Sequence, residues 1–226
     1  MALWTRTVTV ELKVPETQPV RVDPARSGLV IIDMQNEYCK PGGIFYMHPR
    51  RGAVIQPIRE LLERCRDAGI PVIYVQSLRD PGSPEFTVFG VTPYILRGSW
   101  GSEIVEDLAP LPAEPIVEKN SHDCFSHTRM EQVLAEKGLT PCDSTIFVVG
   151  LGLSNCVGCA ITGLSVRHYR VVVPMDCTAS TTWEQDVVNY QRYLQIGYSL
   201  NVTLTESSMI EIAEPSGARA PSRASA

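Results

Sequence analysis

Nowhere in these 226 residues does an uninterrupted apolar stretch approach the roughly 20 residues that would span a bilayer, so no membrane partner is expected. The opening MALWTRTVTVELKVPE alternates apolar with polar residues and lacks the continuous apolar core of a secretory leader. Lysine and arginine form no runs, and with a net charge of −5 the chain is not expected to bind nucleic acid. The seven cysteines are odd in number, scattered, and often set inside apolar runs. That argues against a disulfide framework and for reduced thiols, hence a cytoplasmic protein. No internal repeat is visible.

What is present is a succession of short β-branched runs. Gly28 to Asp33, Pro71 to Gln76, Thr145 to Gly150 and Arg170 to Asp176 are apolar and bounded by turn residues. Such runs predict strands buried on both faces. Ile116 to Glu118 and Asn201 to Thr205 are shorter candidates. Helical patterns lie between them. Val54, Ile55, Ile58, Leu61, Leu62 and Cys65 share one face of a helix that Gly69 ends. Met130, Val133 and Leu134 form a stripe ending at Gly138; Val157, Ala160, Ile161 and Leu164 form another; Val187 to Ile196 is a last one, ended by Gly197.

Strand–helix alternation at this spacing predicts an α/β fold: a Rossmann-like, doubly wound and mostly parallel sheet of about six strands with helices on both faces. The length suits one domain, residues 1–213. Residues 214–226 hold almost no large apolar side chain and are expected to be a disordered tail. The Gly- and Pro-rich stretch from Asp80 to Pro115 predicts a long irregular segment over the sheet, where sites are commonly lined.

Ligands of open α/β sheets sit beyond the carboxyl ends of the strands. Asp33 closes the first run, Lys119 follows Ile116 to Glu118, and Cys156 starts a helix after the Thr145 strand. A helix N-terminus and a nearby ammonium both favour a thiolate, and Asp33 is suited to accept the thiol proton and return it to a leaving amine. The N–H groups of Gly152 and Cys156 are candidates for an oxyanion hole. Each residue also has an ordinary reading: a strand-end cap, a solvated lysine, a small buried hydrophobe.

The order and context of three segments resemble the isochorismatase-like cysteine hydrolases. They are Gly28-Leu-Val-Ile-Ile-Asp-Met-Gln-Asn-Glu-Tyr-Cys39, Val117-Glu-Lys119 followed by Phe125, and Gly150-Leu-Gly-Leu-Ser-Asn-Cys-Val157 with Asp176 beyond it. The resemblance implies a catalytic triad of Asp33, Lys119 and Cys156, a cis peptide at Leu151-Gly152 that aims the Gly152 N–H at the oxyanion, and a homodimer or homotetramer. Where many members carry Thr and an acidic or amide residue before the cysteine, this chain has Leu153-Ser154-Asn155.

Members that cleave the isochorismate vinyl ether typically lack the cysteine, so its presence here favours covalent hydrolysis of an amide or ureido C–N bond. Nicotinamidase-type members bind a metal through Asp-x-His and a further His; here His48 stands alone, so neither metal nor other cofactor is expected. His122 and His127 flank Cys124, a pattern too thin for zinc. The pieces Asp33 to Asn36 with Gly42-Gly43, Gly82 to Phe86, and Gly98 to Gly101 resemble ureidoacrylate amidohydrolases and enzymes acting on N-carbamoyl compounds or biuret. Asn36 and Gln76 are candidates to hydrogen-bond the substrate, and Tyr38 and Trp100 to wall its pocket. Two rival readings rest on the same turn. Cys156-Val-Gly-Cys159 is a C-x-x-C at a helix start, and Gly150-x-Gly152 is a truncated dinucleotide-binding fingerprint.

Overall fold

The long apolar runs pair with one another because only a central sheet can bury both faces of such strands. The structure, a computed structural model, describes residue 9 and residues 11–46, 50–195 and 201–214. In chain order the elements are β1 (Val20–Val22), β2 (Ser27–Ile32), α1 (Asn36–Cys39), α2 (Arg50–Ala53), α3 (Ile55–Asp67), β3 (Val72–Ser77), α4 (Pro84–Thr87) and β4 (Ile116–Lys119). Then follow α5 (Met130–Glu136), β5 (Thr145–Leu151), α6 (Cys156–Val166), β6 (Arg170–Pro174), β7 (Thr178–Ala179), α7 (Trp183–Gln195), β8 (Val202–Thr205) and β9 (Ile210–Ile212).

The main sheet has seven strands, six of them in the order β4-β3-β2-β5-β6-β8, with the short β7 pairing β5. Every pairing is parallel. One strand more than expected is present because β7, two residues long, gives no pattern in the sequence. A separate parallel pair joins β1 to β9. Residues 215–226, most of the expected tail, and Ile196 and Gly197 at the expected end of the last helix lie outside the described residues.

Alternation along β2 explains the layers. Val30 and Ile32 face a core built with α5, α6 and α7, while Leu29 and Ile31 face one built with α3. The stripe Ile58, Leu61, Leu62 and Cys65 of α3 is buried, each aliphatic side chain contributing ~1.5–3 kcal/mol.

Strand order reverses between β2 and β5, and crevices form beyond such a switch point. Here the two chains leave the sheet side by side, with Ile32 opposite Gly150. A Cβ at Gly150, whose φ is +119°, would run into the Ile32 backbone, so glycine lets β2 and β5 stay paired to their ends.

Candidate active site

Each candidate residue is positioned by the end of a strand. Asp33 is the first residue past β2; its φ of +54° marks an abrupt exit from the sheet, and its own N–H stays tied to Val75 O at 2.9 Å. Lys119 ends β4 and pairs in register with Ser77, the last residue of β3. Cys156 opens α6, so its N–H has no acceptor within the helix.

These residues meet beyond the switch point. Lys119 Nζ lies 2.9 Å from Asp33 Oδ2 and 3.2 Å from Cys156 Sγ. It also donates to Ser77 Oγ at 2.5 Å and to the Ser121 carbonyl at 3.1 Å. Ser77 Oγ in turn donates to Asp33 Oδ1 at 2.9 Å. The Lys119–Asp33 pair is almost wholly shielded, with side-chain exposures of 1% and 4%. His122 Nδ1 approaches Cys156 Sγ at 3.3 Å.

The charges set the protonation states. Burial, then the Asp33 charge and the thiol's hydrogen bond to Asp33, outweigh Lys119 and push the Cys156 thiol well above its usual range. The sequence suggested a thiolate favoured by the helix start and the lysine; desolvation and the carboxylate reverse that sign. Burial alone would lower the Lys119 ammonium, but Asp33 and Cys156 carry its net shift upward. Burial and Lys119 hold His122 below the usual imidazole value. Burial and Asp33 push the Tyr38 phenol up.

A cavity of about 260 Å³ opens over the sulfur, lined among others by Asp33, Tyr38, Arg51, His122, Asn155 and Cys156. Phe45 stands between Tyr38, stacked at 5.9 Å, and Tyr94, edge-on at 4.9 Å, and makes one wall. Tyr94 comes from the irregular stretch between β3 and β4. Of the four expected substrate contacts, only Tyr38 lines this cavity. Asn36 Nδ2 donates to Trp100 O at 3.0 Å and Gln76 Nε2 to Ser102 O at 2.7 Å, so both amides pin the loop around Trp100. Trp100 is half-exposed beside Gly42 and does not line this cavity.

The turn between β5 and α6 also departs from expectation. No cis peptide occurs among the described residues, Leu151-Gly152 included. The chain turns instead through positive φ at Gly150 and Gly152, of +119° and +81°. The Gly152 N–H donates to Ala179 O at 2.8 Å and is unavailable to an oxyanion, leaving the Cys156 N–H. Three neighbours brace the turn: β7 through that bond, Ser180 Oγ accepting from Ser154 N at 3.0 Å, and Tyr193 Oη donating to Leu153 O at 3.1 Å.

Sequence reasoning missed Ser77, Arg51 and Asn155. Ser77 had a findable signal, its place at the end of a strand neighbouring β4. Gln35 was missed as well: its side chain is fully buried and binds both N and O of Ser77 at 2.9 Å. Among the described residues no cluster of three or more His, Cys, Asp or Glu is arranged to hold a metal, and no helix is long and apolar enough to cross a membrane; His48 lies outside them.

A buried lysine–carboxylate pair against a cysteine, at the switch point of a parallel sheet, accords with a hydrolase class that relatives identify. The chain belongs to the isochorismatase family of hydrolases: the isochorismatase domain profile matches residues 27–205. It is 31% identical to the ureidoacrylate amidohydrolase RutB of Caulobacter segnis, covering 69% of this chain and 74% of that one. Identity to RutB of Methylobacterium radiotolerans is 28%, with 71% and 70% covered. Among solved structures it is similar to N-carbamoylsarcosine amidase from Thermoplasma acidophilum, at 26% identity and TM-score 0.67, covering 80% of this chain and 96% of that one. A cysteine hydrolase from Pseudomonas syringae pv. phaseolicola shares the fold at 24% identity and TM-score 0.72, covering 89% and 95%.

Proposed function

We propose that this protein hydrolyses a C–N bond of a small amide or ureido compound through a thioester on Cys156. The observation that carries the reading is the contact of one buried ammonium, Lys119, with both Asp33 and the Cys156 sulfur. The named activities of the ureidoacrylate amidohydrolase and N-carbamoylsarcosine amidase relatives support the bond class.

The steps follow from the protonation states. With the thiol protonated at rest, Asp33 accepts its proton as sulfur attacks the carbonyl carbon. The oxyanion forms facing the Cys156 N–H at the positive end of α6. As the C–N bond breaks, Asp33 returns the proton to the departing nitrogen, which leaves as ammonia or an amine. Asp33 then takes a proton from water, the hydroxyl attacks the thioester, and sulfur leaves with that proton. Lys119 keeps its charge throughout and stays hydrogen-bonded to Asp33.

The dithiol alternative is disfavoured by placement. Cys156 lines the cavity over the sheet, whereas Cys159 lines a different one, beside Asp123, Thr162 and Arg192. We also propose a homodimer or homotetramer, with the exposed Val88, Phe89 and Val91 as an apolar strip available to a second copy; light scattering would read the mass.

The test is ammonia release from primary amides, ureido acids and biuret, with wild type and Cys156→Ala. Turnover should vanish in the variant, and quenched wild type should carry an acyl adduct on the Cys156 peptide. Turnover that survives the substitution, or an adduct on Cys159, overturns the proposal.

A further inference from the structure

Three groups meet the Cys156 sulfur, and a thiol has three positions to offer them: one hydrogen and two lone pairs. The hydrogen is directed to Asp33. Lys119 Nζ, 3.2 Å away, has only hydrogens to give and takes one lone pair. His122 Nδ1, at 3.3 Å, faces the other. A bare Nδ1 there would set lone pair against lone pair with no hydrogen between them. Burial and the Lys119 and Arg79 charges hold the imidazole below its usual range against the opposing pull of Asp33, so at neutral pH the ring carries a single N–H. The sulfur contact places that hydrogen on Nδ1.

His122 is exposed and lines the cavity over the sulfur, yet the chain on either side of it is tied down. Ser121 O accepts from Lys119 Nζ at 3.1 Å, so the lysine that touches the sulfur also holds the segment that carries His122. Ser121 Oγ donates to Asp123 O at 3.2 Å, and Asp123 Oδ1 accepts from the Phe125 N–H at 2.9 Å. Cys124 is fully buried. Phe125 lies 4.0 Å from the Arg167 guanidinium and against Gly163, where a Cβ would run into the ring. A side chain rooted in so constrained a backbone is held in place before any substrate arrives.

We infer that His122 is a further catalytic residue, which donates its Nδ1–H to the Cys156 sulfur while that sulfur exchanges its proton for a carbon and again while it departs. This rests on the hydrolase reading above and adds a fourth group to Asp33, Lys119 and Cys156. No proton leaves the ring. As the S–C bond forms, the thiol proton passes to Asp33; as the C–S bond breaks, sulfur takes a proton back from Asp33. Between the two bonds sulfur carries its largest negative charge, and a hydrogen bond donated to it is then strongest. Acid adds a hydrogen at Nε2 and keeps the one at Nδ1, so the contact survives protonation of the ring, as a base would not. The charged and titratable groups around the ring are Lys119, Asp33, Arg79 and Cys156, the adjacent Asp123, and Tyr38 and Arg51 in the same cavity.

Long-range proton–nitrogen correlation spectra of wild type labelled with nitrogen-15 histidine read the tautomer without any variant. His122 is the one of the four histidines that responds to alkylation of Cys156. A protonated Nδ1 and a bare Nε2 are expected; the opposite tautomer overturns the inference. Asparagine copies the Nδ1 donor, glutamine the more distant Nε2, and alanine neither. On an amide or ureido acid that wild type turns over, His122→Ala should lower kcat by about 10–100-fold, the range for a hydrogen bond to a charged group. His122→Asn should recover most of that loss and His122→Gln little. The acid limb of kcat/KM should stay in place in His122→Asn; an acid limb that disappears with the imidazole, with no recovery by asparagine, would make His122 a base and overturn the donor role. Iodoacetamide labelling of Cys156 above the ordinary thiol range should slow in His122→Ala and recover in His122→Asn, which reads the contact without turnover. Labelling that depends on His122 in a protein that hydrolyses no amide, ureido acid or biuret would keep the donor and sink the hydrolase reading. Turnover that Cys156→Ala abolishes and that His122→Ala leaves within roughly twofold would keep the hydrolase and overturn the inference.

Discussion

Ser77 Oγ accepts a hydrogen bond from Lys119 Nζ at 2.5 Å, and the two residues sit opposite each other in the β3–β4 register. The same hydroxyl donates to Asp33 Oδ1, so one oxygen fixes both members of the charged pair. Ser77 is thus a positioning residue. Ser77→Ala should lower kcat by ~10–100-fold with little change in KM, since hydrogen bonds to charged groups contribute ~1.5–3 kcal/mol. Ser77→Thr should rescue much of the loss. A structural role alone would shift melting but not the pH profile of kcat/KM; both should move here.

The state of the Cys156 thiol gives a prediction with a definite sign. Burial and Asp33 raise its pKa, so at neutral pH it is protonated and should react with iodoacetamide more slowly than the exposed Cys142. Labelling should accelerate as pH rises beyond the ordinary thiol range. Asp33→Asn removes a negative charge that raises the thiol pKa and leaves Lys119, which lowers it. The thiolate fraction at fixed pH should therefore increase and labelling should quicken, while hydrolysis should fall by ~10²–10⁴ for loss of the proposed base. Slower labelling in Asp33→Asn would mean that the carboxylate activates the resting sulfur.

With the Gly152 N–H bound to Ala179, stabilisation of an oxyanion by the Cys156 N–H alone would be thin. Asn155 lines the cavity beside the sulfur, and its side chain makes no capping bond to α6. Asn155→Ala should lower kcat by ~10²-fold, within the range for one lost oxyanion donor, with KM nearly constant. Steady-state kinetics on a primary amide or ureido acid would check this. A kcat within twofold of wild type would leave the helix start as sole donor.

The central strands were readable in the sequence because β2, β3 and β5 are buried almost throughout, and burial on both faces writes a continuous apolar run. The stripe of α3 was equally plain. The β1–β9 pair and β7 were not: each strand has three residues or fewer, too short for any period, and β1 and β9 lie at opposite ends of the chain. Asp33, Lys119 and Cys156 were legible through strand ends and family resemblance. Arg51 and Asn155 depend on which loop side chains line one cavity, which no local pattern records. Asn36 and Gln76 misled because a carboxamide next to a site looks the same in sequence whether it faces ligand or loop backbone.

Gly158, in the first turn of α6, separates helix propensity from packing at the turn that carries Cys156. In an open helix, glycine to alanine would add about 1 kcal/mol of stability. Here an added Cβ would fall 2.5 Å from Leu153 O and 2.5 Å from Tyr193 Oη, the two atoms whose hydrogen bond ties α7 to the turn. Overpacking should win, so Gly158→Ala should destabilise by ~1–3 kcal/mol in urea unfolding and lower kcat by moving Cys156. Tyr193→Phe alone should cost ~1 kcal/mol for the lost bond. Because both changes act on one contact, the double variant should lose less than the sum of the two. Simple additivity would mean that Gly158 and Tyr193 do not meet at Leu153, and that the brace described for this turn is wrong.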